Sequence, residues 1–424
     1  MKRKIDENLL KWKNSSDKKP LLLYGNKQVG KTYTAIKFGE TNYKNTVYFN
    51  TENNVELYKI FKKERTIDRI ISRLMVLSNE SIMENDTLII FDNVNDVDIV
   101  NGIKTFGRNK NGYNIILITS IKENLKRFKG EELQYRMLSN VDFEEYLNAL
   151  GKEQLVEFIM LSFRNNKPMP FHNVALEYFE DYLMTGGMPE AVELSINSEN
   201  TLYLNSIYDK IMDSYKKEIS ELDNLIDITR SIEVIDSIPF QLQKPNKKFQ
   251  YGLIRTGGRS KEYEKAISFL TTNGFVYKSN KISEVKFPLS SCKDNDNFKL
   301  YLNDTGLLYS RLYLTKTKFL SDDKLKSTMI ENSIAITLIN LGFNLYYYQS
   351  EGKAEVSFVV QTRMGKVIPI EIVNKNMSKA KSLTLFMNKF NVTEAVRITE
   401  DNFEYKKGVK YIPTYAIFCL KDYL

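Results

Sequence analysis

Leu21-Leu22-Leu23-Tyr24-Gly25-Asn26-Lys27-Gln28-Val29-Gly30-Lys31-Thr32-Tyr33 is the stretch on which the reading of the fold depends. Leu21 to Tyr24 is an apolar run of strand length, and Tyr33 to Glu40 follows with helical spacing of apolar positions. Between them lies a complete G-x-x-x-x-G-K-[ST] pattern, in the strand–loop–helix context that gives it physical meaning. The glycines let the backbone turn its amides inward around a phosphate chain at a helix N-terminus. Lys31 suits the β- and γ-phosphates, and Thr32 suits a Mg²⁺ ion. Gly25 to Tyr33 is therefore the candidate nucleotide-binding segment, with ATP and Mg²⁺ as the expected ligands.

Such a loop needs a carboxylate at the end of a neighbouring strand. Thr87-Leu88-Ile89-Ile90-Phe91-Asp92 supplies one, so Thr32 and Asp92 are the candidate metal-side residues. The next residue is Asn93, where many ATPases of this type place a glutamate that polarises water. An amide cannot accept a proton, so hydrolysis is expected to be slow or to use another group. Glu52, Asp96 and Asp98 are near in sequence. Thr46 to Asn50 and Asn114 to Ser120 read as further strands of one parallel sheet. Thr119 or Ser120 ends its strand with a hydroxyl that either senses the γ-phosphate or caps the following turn. The candidate catalytic set is Lys31, Asp92, Asn93 and Thr119. Strands alternating with helices predict a doubly wound α/β domain with its ligand at the carboxyl ends of the strands.

Composition narrows the chemistry further. The 424 residues leave room for about two to four domains. The +8 net charge permits an acidic partner without requiring one. Cys292 and Cys419 are too few for a disulfide framework or a Cys-rich zinc site. The single histidine, His172, excludes paired-histidine metal sites and argues against a Ser-His-Asp hydrolase. The N-terminal MKRKIDENLLKWKN has no apolar core of signal-peptide type, and no segment is apolar enough to span a membrane. A cytoplasmic protein is expected, with chemistry drawn from carboxylates, lysine, hydroxyls and bound cofactors.

Beyond the first third, residues 140–220 read as helices punctuated by Pro168-Met169-Pro170 and Gly186-Gly187. Residues 222–290 read as three helices and a hairpin whose strands meet at a Ser279-Asn280 turn, the pattern of a winged helix. Lys244, Lys247, Lys248, Arg255, Arg259 and Lys261 are candidate phosphate contacts to DNA there, or else a solvated cluster beside a protein-binding element. Met329 to Leu341 reads as a helix. Strands follow at Asn344 to Gln349, Glu355 to Gln361 and Lys366 to Val373, then a helix near Ala380 to Lys389 and a last strand near Tyr415 to Leu420.

Several segments in this order resemble prokaryotic AAA-type ATPases that carry a C-terminal domain of unknown function. They are Gly25 to Thr32, the strand ending at Asp92, Ile118-Thr119-Ser120, Phe143-Glu144-Glu145-Tyr146-Leu147, Gly186-Gly187-Met188-Pro189-Glu190-Ala191, Lys299 to Leu308 and Pro369-Ile370-Glu371. The resemblance implies an ATPase core over 1–140, a helical lid over 141–220, a winged helix over 221–310 and a restriction-endonuclease-like domain over 311–424. It also implies subunits that assemble and share sites. The family often has Gly-Arg before the Phe-x-Glu-Tyr-Leu segment, but here Gly130 precedes Glu131, leaving Arg127 and Arg136 as substitutes for an arginine finger. In the C-terminal part the order of elements resembles the PD-(D/E)xK nuclease core. Its matching positions are Glu331, Ser357, Glu371 and Val373, with Lys375 two residues on. A serine and a valine at two of these four places imply an inactive nuclease-like fold kept for binding DNA or a partner.

Overall fold

The computed structural model describes residues 1–64, 66–108, 111–120, 124–197, 203–222, 227–350, 355–373 and 381–424. The chain divides into two compact units, Met1–Asn140 and Val141–Leu424.

The first unit runs α1 (Lys4–Lys13), β1 (Leu21–Tyr24), α2 (Lys31–Asn42), β2 (Asn45–Asn50), α3 (Val55–Lys63), α4 (Ile67–Ser78), β3 (Thr87–Asp92), α5 (Val97–Arg108), β4 (Asn114–Thr119), α6 (Asn124–Phe128) and β5 (Gln134–Met137). All five strands pair in parallel, in the order β2-β3-β4-β1-β5. Leu21, Leu23, Ile90 and Ile116 pack with Trp12 and Phe38 on one face. Leu22, Ile89, Phe91 and Leu117 pack with Phe61, Ile70 and Ile103 on the other. Burial on both faces explains why β3 and β4 read as unbroken apolar runs. It also forces polar chemistry to the strand ends, where the loops after β1, β3 and β4 lie. The edge strand β5 escaped the sequence reading because Gln134-Tyr135-Arg136-Met137 lacks an apolar run.

The second unit begins with α7 (Phe143–Ala149), α8 (Glu153–Asn165), α9 (His172–Thr185), α10 (Pro189–Asn197) and α11 (Leu204–Leu222). Asp142 and Glu145 cap α7 reciprocally, each side chain accepting from the other's backbone N–H at 2.9 and 3.3 Å. There follow α12 (Ile228–Leu242), α13 (Ser260–Asn273), β6 (Val276–Ile282), β7 (Lys293–Leu302), α14 (Thr305–Arg311), α15 (Lys316–Ser321) and α16 (Asp323–Asn340). The chain ends with β8 (Leu345–Gln349), β9 (Glu355–Gln361), β10 (Val367–Val373), α17 (Ser382–Phe390), β11 (Ala395–Thr399), β12 (Glu404–Lys406), β13 (Val409–Pro413) and a 3₁₀ helix at Thr414–Asp422.

Three expectations are corrected here. Where three helices were expected before the hairpin, α12 and α13 flank a single 3₁₀ turn at Tyr251–Leu253, because Pro245, Gly252, Gly257 and Gly258 interrupt the chain. Ser279-Asn280 is no turn: β6 continues through it, paired antiparallel with β7, and the register shifts only between Asn280 and Ile282. Ser279 is fully buried, and β6 also pairs in parallel with β8 from Ser279↔Leu345 onward. The hairpin of the expected winged helix thus belongs to one mixed eight-stranded sheet, β12-β13-β11-β10-β9-β8-β6-β7, and no break falls at residue 310. Third, Tyr415 to Leu420 is 3₁₀ helix rather than strand, every residue of it buried. Ala380, at the start of an expected helix, lies outside the described residues.

The Gly-Gly-x-Pro-Glu turn and the Asn303-Asp304-Thr305-Gly306 segment, far apart in sequence, meet in one buried node. Gly187 N–H donates to Asp304 Oδ2 at 2.8 Å, and Tyr208 hydroxyl donates to Oδ1 at 2.8 Å. Gly186 has φ 76°, and a Cβ there would fall on Asp304 Oδ1 and the Tyr208 hydroxyl. The turn is therefore a structural tie within this unit. His172 is structural as well, its Nδ1 and Nε2 engaged by Tyr415 Oη at 3.0 Å and the Glu400 carbonyl at 2.9 Å.

A second buried network joins β7, β9 and α16. Lys299, fully buried on β7, reaches Glu355 at 2.5 Å and Glu331 at 3.4 Å, and Lys247 meets Glu331 at 2.5 Å. Tyr301 hydroxyl donates to Glu331 at 2.7 Å. Burial opposes the charge of Glu331, but the ammonium groups of Lys247 and Lys299 and the hydrogen bonds from Lys247 and Tyr301 outweigh it, holding its carboxyl down to about 2. Replacing Lys299 by Met takes the cation from Glu355 and leaves Glu331 to Lys247 and Tyr301, and is expected to cost about 1–3 kcal/mol, read as a lower urea midpoint. Because the folded pKa of Glu331 is depressed, its contribution is full above the ordinary value of 4.5 and is lost as pH falls toward 2. The stability gap between wild type and Glu331→Gln should therefore narrow over that window in acid-unfolding curves.

Candidate functional site

The loop between β1 and α2 closes through its glycines. A Cβ on Gly25 would overlap the Leu138 carbonyl oxygen. Gly30, the residue before α2, has φ 91°, a conformation costly for any side chain. Lys31 is nearly buried and donates its ammonium to the carbonyls of Gly25 and Asn26 at 2.9 and 2.7 Å. Val29 is wholly buried and anchors the loop in the core, while Gln28 is exposed with φ 65° and Lys27 half-buried. Tyr33 is exposed, with Lys37 Nζ 5.8 Å from its ring centre.

Asp92 ends β3 with 4% of its surface exposed. Thr32 Oγ1 donates to its Oδ2 at 2.6 Å, Tyr48 hydroxyl donates to the same oxygen at 3.0 Å, and Asn93 N–H donates to Oδ1 at 2.8 Å. All three donors are neutral. Asp92 is a buried carboxylate with no protein cation against it among the described residues, so its charge remains for an incoming cation. Burial, then the Asp92 charge and hydrogen bond, push the Tyr48 phenol up to about 12. A hydroxyl, a carboxylate and a nearby ammonium on a phosphate-binding loop are the donor set that Mg²⁺ and a triphosphate require.

Asn93 has φ 57° and donates from Nδ2 to Asn50 Oδ1 at 3.2 Å, so amide faces amide where a base would act. None of the nearby carboxylates replaces it. Glu52 is exposed, Asp96 accepts from the N–H groups of Asp98 and Ile99 at 2.7 and 3.2 Å, and Asp98 meets Tyr58 hydroxyl at 3.4 Å. Thr119 is fully buried at the end of β4, beside Tyr24 in the register, and Ser120 is half-buried. Arg127 and Arg136 are exposed, near Asn124 Oδ1 at 3.3 Å and the Tyr135 carbonyl at 2.8 Å. Tyr48 and Asn50 were missed in the sequence. Alternation along β2 turns both away from the core, but only the pairing Asn50↔Asp92 reveals what they face.

The positions matched to a nuclease core have different surroundings. Glu331 is held by Lys247, Lys299 and Tyr301. Glu371 on β10 faces Arg397 across the sheet and accepts its Nε and Nη2 at 3.0 and 2.7 Å, with Leu383 N–H at 3.3 Å. Burial pushes the Glu371 carboxyl up despite the Arg397 guanidinium. Ser357 accepts the Ile372 N–H at 3.3 Å, Val373 lies beside Thr399, and Lys375 lies outside the described residues. No group of three or more His, Cys, Asp or Glu is placed to hold a metal ion among the described residues.

The basic set divides. Lys247 is withdrawn as a DNA contact because it is committed to Glu331, and Arg255 pairs with Glu262 at 2.7 Å. Both were read as free cations because their carboxylate partners arrive through tertiary packing or the turn before α13. Lys244, Arg259 and Lys261 are exposed, and Lys248 is half-exposed.

Three family models match successive parts of the chain. Residues 17–147 match an AAA domain, 176–318 a domain of unknown function, and 326–417 a second domain of unknown function. With the loop and Asp92 in place, the first match supports an ATP-binding, AAA-type P-loop ATPase. Among solved structures, a Walker-type ATPase of Pyrococcus abyssi is similar at 13% identity over 73% of this chain and 95% of that chain, with a TM-score of 0.42. The ORC1 protein of Aeropyrum pernix in complex with DNA is similar at 13% over 75% and 92%, with a TM-score of 0.29. The RuvB Holliday junction branch migration motor of Thermotoga maritima is similar at 11% over 65% and 89%, with a TM-score of 0.31. No curated protein matches the chain. No helix among the described residues is long and apolar enough to cross a membrane.

With Glu331 and Glu371 both compensated by protein cations, supercoiled plasmid incubated with the protein and Mg²⁺ is expected to stay uncut. Nicking that disappears in Glu371→Ala would show that the carboxylates still serve a metal.

Proposed function

We propose that the protein binds ATP and Mg²⁺ on the loop Gly25 to Tyr33 and hydrolyses ATP slowly, and that its nucleotide state governs how the second unit engages DNA. The observation that carries this reading is the 2.6 Å contact of Thr32 with Asp92, a hydroxyl and an uncompensated carboxylate brought together from positions 60 residues apart. Mg²⁺, when bound, supplies positive charge against the phosphate oxygens. Lys31 exchanges the carbonyls of Gly25 and Asn26 for phosphate oxygens, and the backbone at the start of α2 donates to the same chain of phosphates. Thr32 and Asp92 would hold the metal. Thr119, at the end of β4, is the proposed sensor of the γ-phosphate. Asn93 can orient a water but cannot take its proton, which limits turnover.

The pairing of Asn93 with Asn50 favours a second reading, a nucleotide-gated scaffold that binds ATP and scarcely turns it over. Lys244, Lys248, Arg259 and Lys261 are the proposed phosphate contacts to DNA. The degenerate nuclease-like part is proposed to bind rather than cut. Exposed Arg127 and Arg136 are the proposed donors to a neighbouring subunit's nucleotide in a homo-oligomer.

Nucleotide affinity and steady-state hydrolysis measured side by side test these readings. Lys31→Ala should lose ATP affinity by about 100-fold or more, the loss of a charge-assisted contact to phosphate. Asn93→Glu should raise turnover while leaving affinity near the wild-type value. Wild-type turnover already as fast as in the Glu variant would exclude the scaffold, and a Lys31→Ala protein that binds ATP normally would exclude the site.

A further inference from the structure

We infer that Tyr48 is a positioning residue for the metal-side carboxylate, its hydroxyl fixing the direction in which Asp92 presents Oδ2. The inference rests on the nucleotide-site reading above. Its basis is a convergence of three donors from three elements on one buried carboxylate: Thr32 from α2, Tyr48 from β2 and the Asn93 backbone after β3.

Tyr48 is not held in place by packing. It is 39% exposed, while its neighbours Val47 and Phe49 are 0% and 5% exposed and belong to the core. Neither hydrophobic face of the sheet includes it. What the side chain contributes is its hydroxyl, which reaches from the middle of β2 to the end of β3.

A carboxylate oxygen offers two lone-pair directions. Asp92 Oδ2 accepts two hydrogen bonds, from Thr32 at 2.6 Å and from Tyr48 at 3.0 Å. A metal held by Thr32 and Asp92 would displace the Thr32 hydrogen bond, since the Thr32 hydroxyl oxygen would turn to the metal. Tyr48 would keep its own hydrogen bond and would be the side-chain donor left, among the described residues, to hold the Asp92 rotamer. A lysine in the same place would hold Asp92 equally well, but its charge would compete with the metal. A phenol anchors the carboxylate and leaves its charge unspent. This arrangement is the opposite of Glu331 and Glu371, where protein cations take the charge.

Binding of ATP by wild type, Tyr48→Phe, Tyr48→Gln and Asp92→Asn should be measured by calorimetry across a Mg²⁺ titration and again in EDTA. Tyr48→Phe is expected to bind ATP in EDTA within about twofold of wild type and to need about tenfold more Mg²⁺ for half its effect, the size of one hydrogen bond to a charged group. Tyr48→Gln, whose amide can donate, should recover part of the Mg²⁺ response. An unchanged Mg²⁺ midpoint in Tyr48→Phe, with a clear shift in Asp92→Asn, overturns the role of Tyr48 and leaves the site standing. An equal loss with and without Mg²⁺ also overturns it, since that marks a merely structural residue. A wild-type affinity indifferent to Mg²⁺ overturns the site reading, and the inference with it.

Discussion

A carboxylate taken out of water must be held by hydrogen bonds or by a cation, and which of the two holds it decides what it can still do. Asp92 is held by two hydroxyls and a backbone amide, all neutral, so its negative charge is undiminished. Glu331 is clasped by two lysines and a tyrosine, and Glu371 by a two-pronged arginine. The same side-chain chemistry is thus held by neutral donors in one unit and spent on a structural tie to protein cations in the other. The difference lies in the partners.

The first unit gives Asp92 its setting through a simple constraint. A parallel sheet covered by helices on both faces has apolar side chains at nearly every strand position, so polar groups gather where strands end. Asn50 and Asp92 end neighbouring strands in register, and Thr119 ends the next. In the second unit the constraint is different. Its buried carboxylates Glu331 and Glu371 lie within a helix and a strand rather than at strand ends, and Lys247, Lys299 and Arg397 offset their charge. Lys299 belongs to the strand Lys293–Leu302, so the expected winged-helix segment and the nuclease-like segment are joined by both hydrogen-bonded strands and ion pairs.

The phosphate-binding loop and the strand ending at Asp92 could be read in advance because their information is local. Gly30 is required by its own φ, and the apolar run from Leu88 to Phe91 announces burial on both faces without reference to any partner. The short strand Gln134–Met137 could not be read, since its place at the sheet edge depends on pairing with Leu21–Tyr24. The Ser279-Asn280 turn was misread for a related reason. Small polar residues favour turns in isolation, but here a neighbouring strand on each side satisfies their backbone groups and keeps the chain extended.

Motif and periodicity were enough to establish a nucleotide-type loop, its lysine and threonine, the Asp92 strand and the amide at position 93. Those features follow from the order of residues along a short length of chain. Tertiary structure alone decided which charges were free. Lys247 looked like a DNA contact until Glu331, 84 residues away, was found against it, and Tyr48 looked like an ordinary strand residue until its hydroxyl was found on Asp92, 44 residues away. A side chain's charge is written in the sequence, but its partner is chosen by packing, and in a low-dielectric interior the partner decides the chemistry.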